Sequence, residues 1–242
     1  MQKSANNVLL LSKILKHPIL TNQILDYSMK TRGFIFDLDG TLIDSLPLHL
    51  RAWKETLKIF GFDRSEQDIL TQFGKTNEKL TAALTNISDL NQLNEIITYK
   101  KNFIFSHFDE VKLFPGVEEF LKQLQFAHIP FTFATNGTKA ASKFIIQHFP
   151  LLQKVKATIT TDEVAHGKPN PEMVLKAIEV MNLTRESVLM VGDSIFDLQA
   201  GKAAGVRTIG ICGHHDKAEL EKKKPWLILE DFNDILKYLN RL

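Results

Sequence analysis

The chain has one cysteine, Cys212, so no disulfide can form within it. No apolar run reaches the ~20 residues that a membrane-spanning helix requires. Neither sign of charge is in large excess: 30 basic and 28 acidic side chains give a formal charge of +2, which offers no broad basic surface to a nucleic acid. These absences predict a cytoplasmic protein whose partners include neither a membrane nor a nucleic acid.

Two carboxylates follow a strongly apolar segment in the string F-I-F-D-L-D-G-T-L-I-D-S, residues 34–45. Its first three residues predict a buried strand, and Gly40 predicts the turn after it, so Asp37 and Asp39 fall where the strand opens into a loop. In open α/β sheets this end of a strand borders the ligand crevice. One carboxylate could attack there while the other carries a proton.

Two later segments carry polar side chains of the kind that hold a phosphoryl group. The predicted strand Phe131 to Ala134 ends at Thr135 and Asn136, whose hydroxyl and amide can donate to phosphoryl oxygens. In H-G-K-P-N-P-E, Lys168 precedes a predicted helix with Asn170 as its cap. A lysine before a helix N-terminus favours an anion.

A fourth segment, V-L-M-V-G-D-S-I-F-D, predicts a strand from Val188 to Val191 that delivers Asp193 to the same edge of the sheet. Asp197 follows one helical turn later. Each of these residues alone is an ordinary turn or loop residue. Their order along the chain, each after a predicted strand or before a predicted helix, indicates one pocket for phosphate chemistry.

The four segments together resemble the signatures of the haloacid dehalogenase superfamily of phosphatases and phosphotransferases, over nearly all of residues 30–242. The resemblance implies an α/β fold, a doubly wound parallel-sheet, Rossmann-like core with an inserted α-helical cap domain. The alternation of predicted strands and helices after Phe114 agrees with such a core. The position of the helical segment resembles the cap of the phosphoglycolate phosphatase and β-phosphoglucomutase group.

This organisation divides the chain into three parts. Residues 30–45 and 113–242 form the predicted catalytic core, and residues 46–112 the helical cap. Residues 1–29 form an extension in which Val8, Leu11 and Leu15 recur at helical spacing. Packing on the core, self-association and a contact with a partner all remain open for that extension, so we expect a monomer or a homodimer.

The resemblance also implies a role for each motif residue. Asp37 would be the nucleophile that forms an aspartyl phosphate, and Asp39 the general acid and base. The phosphoryl group would be held by Thr135, Asn136 and Lys168. Mg²⁺ would be the cofactor, with Asp37, the Asp39 carbonyl and Asp193 as ligands and Asp197 acting through water or beside them. The predicted function is Mg²⁺-dependent hydrolysis of a small phosphorylated metabolite, a phosphosugar or a phosphoglycolate-like ester.

Three polar residues of the cap, His49, Arg51 and Lys75, are candidates for substrate contact. The segment H-L-R-A-W-K at residues 49–54 resembles that of β-phosphoglucomutase, so a phosphosugar mutase is the main alternative. Thr41 and Gly192 instead match the phosphatase form of the motifs. A binding protein on the same scaffold is a second alternative, although every expected catalytic side chain is present.

Weaker patterns give little support to other chemistries. A phosphonatase would need a cap lysine able to form a Schiff base, for which Lys54 and Lys75 are candidates. Cys212 with His214 and His215 could bind a soft metal, although one thiol and two histidines in a short loop are usually ordinary loop residues without a metal. The half-match G-K-T at residues 74–76 lacks the first glycine of a P-loop.

Overall fold

The computed structural model describes residues 31–73, 76–212 and 217–239. The predicted N-terminal extension, Lys75, His214 and His215 lie outside these residues. The chain divides into two compact units, of which the smaller is Ile43–Leu113 and the larger takes in the sequence on either side of it. None of the helices in the described residues is both long and apolar enough to cross a membrane.

The larger unit is built on a six-stranded sheet in which all paired strands are parallel. The strands are β1 (Gly33–Phe36), β4 (Phe131–Ala134), β5 (Thr158–Ile159), β6 (Val188–Gly192), β7 (Arg207–Ile211) and β8 (Leu227–Leu229). Their order is β5-β4-β1-β6-β7-β8, so the chain moves outward from β1 in both directions. This is the doubly wound order of Rossmann-like folds, and the predicted fold class is confirmed.

Helices connect these strands. They are α5 (Val117–Phe126), α6 (Lys139–His148), α7 (Glu172–Met181), α8 (Ile195–Ala203), α9 (Lys217–Glu221) and α10 (Phe232–Leu239), with 3₁₀ turns at Pro150–Lys154, Thr161–Glu163 and Arg185–Ser187. Side-chain caps begin two of them: Thr138 accepts the N–H of Ala141 before α6, and Ser194 accepts that of Asp197 before α8. Because a cap satisfies an otherwise unpaired N–H, each start is set by its local sequence.

The two faces of β1 bury different kinds of side chain. Phe34 and Phe36, two residues apart, point to one face, where both rings meet Phe120 of α5 edge-on at 5.3 and 5.9 Å between centroids. Ile35 points to the other face and packs in a cluster with Met173 of α7 and with other apolar residues. Helices therefore cover both faces of the sheet.

The smaller unit is helical apart from one short antiparallel ribbon. Its elements are β2 (Ile43–Asp44), α1 (Leu46–Ile59), α2 (Glu66–Leu70), α3 (Asn77–Thr85), α4 (Leu90–Ser106), a 3₁₀ turn at Phe108–Glu110 and β3 (Lys112–Leu113). Ser65 and Asp68 form a capping box at the start of α2, and Asp89 caps α4. Trp53, Leu57 and Leu80 are buried in its core.

The elements predicted from sequence occur in the predicted order, with small differences at their ends. The sequence pattern predicts one helix from Asp89 to Phe108, but α4 ends at Ser106 and a 3₁₀ turn begins at Phe108. Asn170 accepts the N–H of Glu172, yet α7 begins at Glu172 rather than at Pro171. The ribbon of β2 and β3 was not predicted, since a strand of two residues carries no readable alternation.

Candidate active site

Three neighbouring strands of the sheet end in polar residues. Asp37 directly follows β1, and its N–H donates to the carbonyl of Val191 on β6 at 3.0 Å. Asp193 follows β6, and Thr135 follows β4 on the other side of β1. The chain reverses its direction of winding at β1, and this is the position at which open α/β sheets bind ligands.

Lys168 joins two of the carboxylates in this region. Its Nζ lies 2.8 Å from Oδ1 of Asp37 and 2.6 Å from Oδ1 of Asp197, and its side chain is only 3% exposed. Burial alone would lower the pKa of Lys168, but the charges of Asp197 and Asp37 raise it above its ordinary value. The lysine is therefore a permanent buried cation beside the predicted nucleophile.

The carboxylates of Asp37, Asp193 and Asp197 each place an oxygen within 4.8 Å of the other two. The pKa of Asp37 is raised to about 7, chiefly by burial and also by the charges of Asp197 and Asp39, while Lys168 opposes the rise. Burial and the charges of Asp197 and Asp37 also raise the pKa of Asp193 well above its usual range. Crowded, hard oxygen donors of like charge suit a divalent cation such as Mg²⁺, so the residues fit the predicted cofactor.

The orientation of Asp193 depends on a residue that was not assigned a site role from the sequence. The hydroxyl of Thr41 donates to Asp193 Oδ1 at 2.7 Å and accepts the Asp193 N–H at 3.1 Å. Gly40 lies so close that a Cβ on it would be 2.4 Å from Asp193 Oδ2, and its φ of +81° also favours glycine. The G-T pair of the first motif thus shapes the site of Asp193, 152 residues away from Thr41.

Asp197 is fully buried and is bonded on both of its oxygens. Oδ1 accepts from Lys168, while Oδ2 accepts the N–H and the hydroxyl of Ser194 at 3.0 and 2.6 Å. A Cβ at Gly192 would lie 2.3 Å from that of Asp197, so the chain requires glycine there. The S-x-x-D pattern of a capping box at residues 194–197 was the available sequence signal for this arrangement.

The two residues after β4 are engaged differently. The Thr135 hydroxyl accepts the N–H of Gly137 at 3.1 Å, and no acceptor within the described residues takes its hydrogen. Asn136 uses its amide on Lys168: it donates to the Lys168 carbonyl at 3.0 Å and accepts the Lys168 N–H at 2.9 Å. Thr135 can therefore donate to a bound anion, whereas both ends of the Asn136 side chain are occupied.

Asp39, predicted as the general acid and base, lies half-buried in the turn after Asp37. Its charge contributes to raising the pKa of Asp37, so the two carboxylates interact. The structure therefore brings all seven predicted core residues together at one edge of the sheet, in the order expected from the four motifs.

His49 and Arg51, the predicted cap residues that the structure describes, make their contacts within the smaller unit. His49 Nδ1 lies 3.0 Å from Nζ of the buried Lys100, and burial together with this charge lowers the pKa of His49 to about 3. Arg51 pairs with Glu110 at 2.7 Å and lies over the ring of Phe103. Arg51 and Glu110 also line a cavity of about 260 Å³ within this unit.

An α/β protein with an aspartate at the switch point of its sheet, a buried lysine and a carboxylate cluster has the groups that phosphoryl transfer requires. The family model of haloacid dehalogenase-like hydrolases matches residues 34–211, and the chain belongs to that family. Its sequence is 29% identical to pyrophosphatase PpaX of Bacillus mycoides (strain KBAB4) over 217 residues, which cover 88% of this chain and 99% of the relative.

Solved structures show the same architecture. A Thermotoga maritima protein assigned as a β-phosphoglucomutase aligns with a TM-score of 0.75 and 25% identity, over 88% of this chain and 100% of its own. A predicted phosphoglycolate phosphatase of Haemophilus somnus 129pt aligns with a TM-score of 0.78 and 23% identity, over 86% of this chain and 97% of its own, which shows the shared fold alone. The chain is an enzyme of the phosphatase type within this family.

Proposed function

We propose that this protein is a Mg²⁺-dependent phosphatase that hydrolyses a small phosphorylated metabolite through an aspartyl-phosphate intermediate. The observation that carries the proposal is the placement of the Asp37 carboxylate, 2.8 Å from the buried Lys168 ammonium and within a cluster of three carboxylates. A carboxylate can attack an anionic phosphoryl group only where fixed positive charge offsets their repulsion.

In this proposal Asp37 attacks phosphorus and the ester oxygen leaves on the opposite side. Lys168 offsets negative charge on the transferring group, and the Thr135 hydroxyl donates to one of its oxygens. Asn136 belongs to the same phosphoryl-binding end of β4. A Mg²⁺ ion bound here would neutralise further charge on the carboxylates and the phosphoryl oxygens.

Asp39 would protonate the leaving oxygen and then take a proton from the water that hydrolyses the aspartyl phosphate. Two carboxylates can divide the work in this way because their surroundings differ: Asp37 is bonded to a buried lysine, whereas Asp39 lies in the turn that follows. The proton given up in the first step is thus recovered in the second.

The proposed ligands of Mg²⁺ are Asp37, Asp193 and the main-chain carbonyl of Asp39. The bonds from Thr41 orient Asp193 for this role. Asp197 would act on the ion through water or stand beside the ligands, since its two oxygens already accept from Lys168 and Ser194.

The substrate class is inferred from the family and from the predicted cap residues. A relative at 29% identity is named a pyrophosphatase, so inorganic pyrophosphate joins phosphosugars and phosphoglycolate among the candidates. We propose that His49, Arg51 and Lys75 contact the part of the substrate that does not react. We further propose a cytoplasmic enzyme, active as a monomer or homodimer.

A phosphosugar mutase is the second candidate, favoured by the likeness to the Thermotoga maritima protein. Two residues oppose it. Gly192 stands where the mutase signature has glutamate, and even a Cβ would lie 2.3 Å from Asp197. Thr41 stands where that signature has valine, and its hydroxyl holds Asp193.

The test is phosphate release from pyrophosphate, phosphoglycolate and hexose phosphates, with Mg²⁺ and with chelator, for wild type and Asp37→Asn. We expect Mg²⁺-dependent release that Asp37→Asn abolishes while the protein stays folded. Release by Asp37→Asn at the wild-type rate would refute the assignment of Asp37 as the nucleophile. Conversion of glucose 1-phosphate to glucose 6-phosphate without release, in the presence of a bisphosphate activator, would support the mutase.

A further inference from the structure

The side chain of Asn136 bonds to both main-chain polar groups of Lys168. Nδ2 donates to the carbonyl oxygen at 3.0 Å, and Oδ1 accepts the N–H at 2.9 Å. Donor thus meets acceptor at both ends, so one orientation of the amide satisfies both bonds. Within the described residues, no other hydrogen bond reaches the main chain of Lys168. We call this pair of bonds the Asn136 clamp.

Gly167, the residue before Lys168, leaves the space that the Asn136 side chain occupies in the clamp. A Cβ on Gly167 would lie 2.7 Å from Asn136 Oδ1, so any side chain there would push the loop and the amide apart. Other bonds in this loop act elsewhere: the Glu172 carboxylate accepts the N–H groups of Ala165 and His166, and the Gly167 carbonyl accepts from Asn170. They stabilise the loop on either side of the clamp.

We propose that Asn136 is a positioning residue, whose clamp sets the main-chain position of Lys168 and thereby places Nζ between Asp37 and Asp197. This role differs from the expectation that the Asn136 side chain holds the phosphoryl group. Its kinetic consequence rests on the proposed function, whereas its structural consequence does not.

Loss of the clamp should change the position of Lys168 more than the stability of the fold. Asn136 is exposed, so water can replace its bonds at little cost to the fold. Lys168, in contrast, must reach two carboxylates from one buried position. A displacement of about 1 Å in a group that faces the reacting atoms can cost ~100-fold in rate.

The experiment compares four single variants and one double variant of the full chain. Asn136→Ala deletes the clamp, Asn136→Asp keeps only the acceptor for the Lys168 N–H, and Gly167→Ala forces the clamp apart. Asn170→Ala is the matched control, because it removes a bond to the N–H of Glu172 in the same loop and leaves Lys168 untouched. Amide hydrogen exchange at Lys168 and steady-state kinetics with Mg²⁺ are measured on each, together with melting.

We expect Asn136→Ala and Gly167→Ala to speed exchange of the Lys168 amide and to lower kcat about 100-fold. Asn136→Asp retains the protection of that amide, and Asn170→Ala changes neither quantity. The double variant of Asn136→Ala with Gly167→Ala should be no slower than the slower single variant, because both changes break one contact.

Two results would overturn the inference. Unchanged exchange at Lys168 in Asn136→Ala would mean that the clamp does not hold this residue. A kcat loss that adds in the double variant would mean that Asn136 acts directly on the substrate. A wild-type protein without phosphate release would instead count against the proposed function, and the exchange data would still decide whether the clamp exists.

Discussion

The site in the core and Arg51 of the smaller unit differ in how their polar groups are held. In the core, Thr41 bonds to Asp193, and Lys168 bonds to Asp37, in each case across more than a hundred residues of sequence. In the insert, Arg51 pairs with Glu110 through side chains that are 44% and 51% exposed. Buried long-range bonds hold reacting groups in one geometry, while exposed pairs leave side chains able to adapt to a ligand.

Substitutions in the core should therefore change the rate of chemistry, and substitutions in the smaller unit should change which substrate binds. Binding that is equal in the ground state and the transition state alters KM, whereas groups that act in the transition state alter kcat.

Lys168→Met should have the largest effect, because it leaves the buried Asp37 and Asp197 carboxylates without their cation. We expect kcat to fall at least ~1000-fold. Breaking a buried ion pair should also cost about 3 kcal/mol of unfolding free energy. Lys176→Met is the matched control, since that lysine is 43% exposed and lies outside the site.

The stability loss in Lys168→Met should depend on pH. Lys168 holds down the pKa of Asp37, which is nevertheless raised to about 7. Without the lysine this pKa rises further, so at pH 5 the Asp37 carboxyl is protonated and carries no unpaired charge, whereas at pH 8 the penalty is larger. Denaturant unfolding at the two pH values measures this, and an equal loss at both would contradict the account.

Thr41→Val should have the next largest effect. It removes the hydroxyl that holds Asp193 and so should weaken Mg²⁺ affinity about 10- to 100-fold. It should also cost about 1 kcal/mol of unfolding free energy. Affinity is measured by Mg²⁺ titration of activity and of melting.

Thr132→Val is the matched control for that change. Thr132 is also buried in the larger unit, but its hydroxyl has no hydrogen-bond partner among the described residues. Its replacement should be neutral or stabilising, with unchanged Mg²⁺ affinity. Equal weakening of Mg²⁺ binding by both variants would mean that the Thr41 hydroxyl has no specific role in Mg²⁺ binding.

His49→Gln should have a smaller effect, visible only in acid. The pKa of His49 is lowered to about 3 in the fold, below its value of 6.5 in the unfolded chain. As pH falls through 6.5, His49 binds a proton in the unfolded state but not in the folded state, so wild type loses stability. His49→Gln should lose about 2 kcal/mol less than wild type between pH 7 and pH 5. Parallel stability curves for the two proteins would refute the assignment.

Arg51→Ala should have the smallest effect on the fold, within about 1 kcal/mol, because the pair that it breaks is exposed. If Arg51 meets the substrate, KM rises and kcat is unchanged. Lys122→Ala, which breaks an exposed pair with Glu118, is the control for a charge lost elsewhere. A fall in kcat with unchanged KM in Arg51→Ala would abolish the distinction between core and insert.

The sequence predicted the strands and the carboxylates at their ends, because apolar runs that end in Asp are local patterns. It did not predict what Thr41 and Asn136 bond to, since their partners Asp193 and Lys168 are 152 and 32 residues away in sequence and meet them only in the folded core. The direction of an amide or hydroxyl depends on packing rather than on spacing. For the same reason, the sequence predicted only part of the surroundings of Asp197. Its capping box with Ser194 is local in sequence, but its bond to Lys168 is not.

The most direct test of the central claim is to trap the intermediate. Wild-type enzyme turning over a labelled substrate with Mg²⁺ is quenched in acid, and its peptides are mapped. The account predicts label on Asp37 in wild type and none in Asp37→Asn. Turnover with label on another residue, or with no label on the chain under conditions in which acyl phosphates survive, would contradict it.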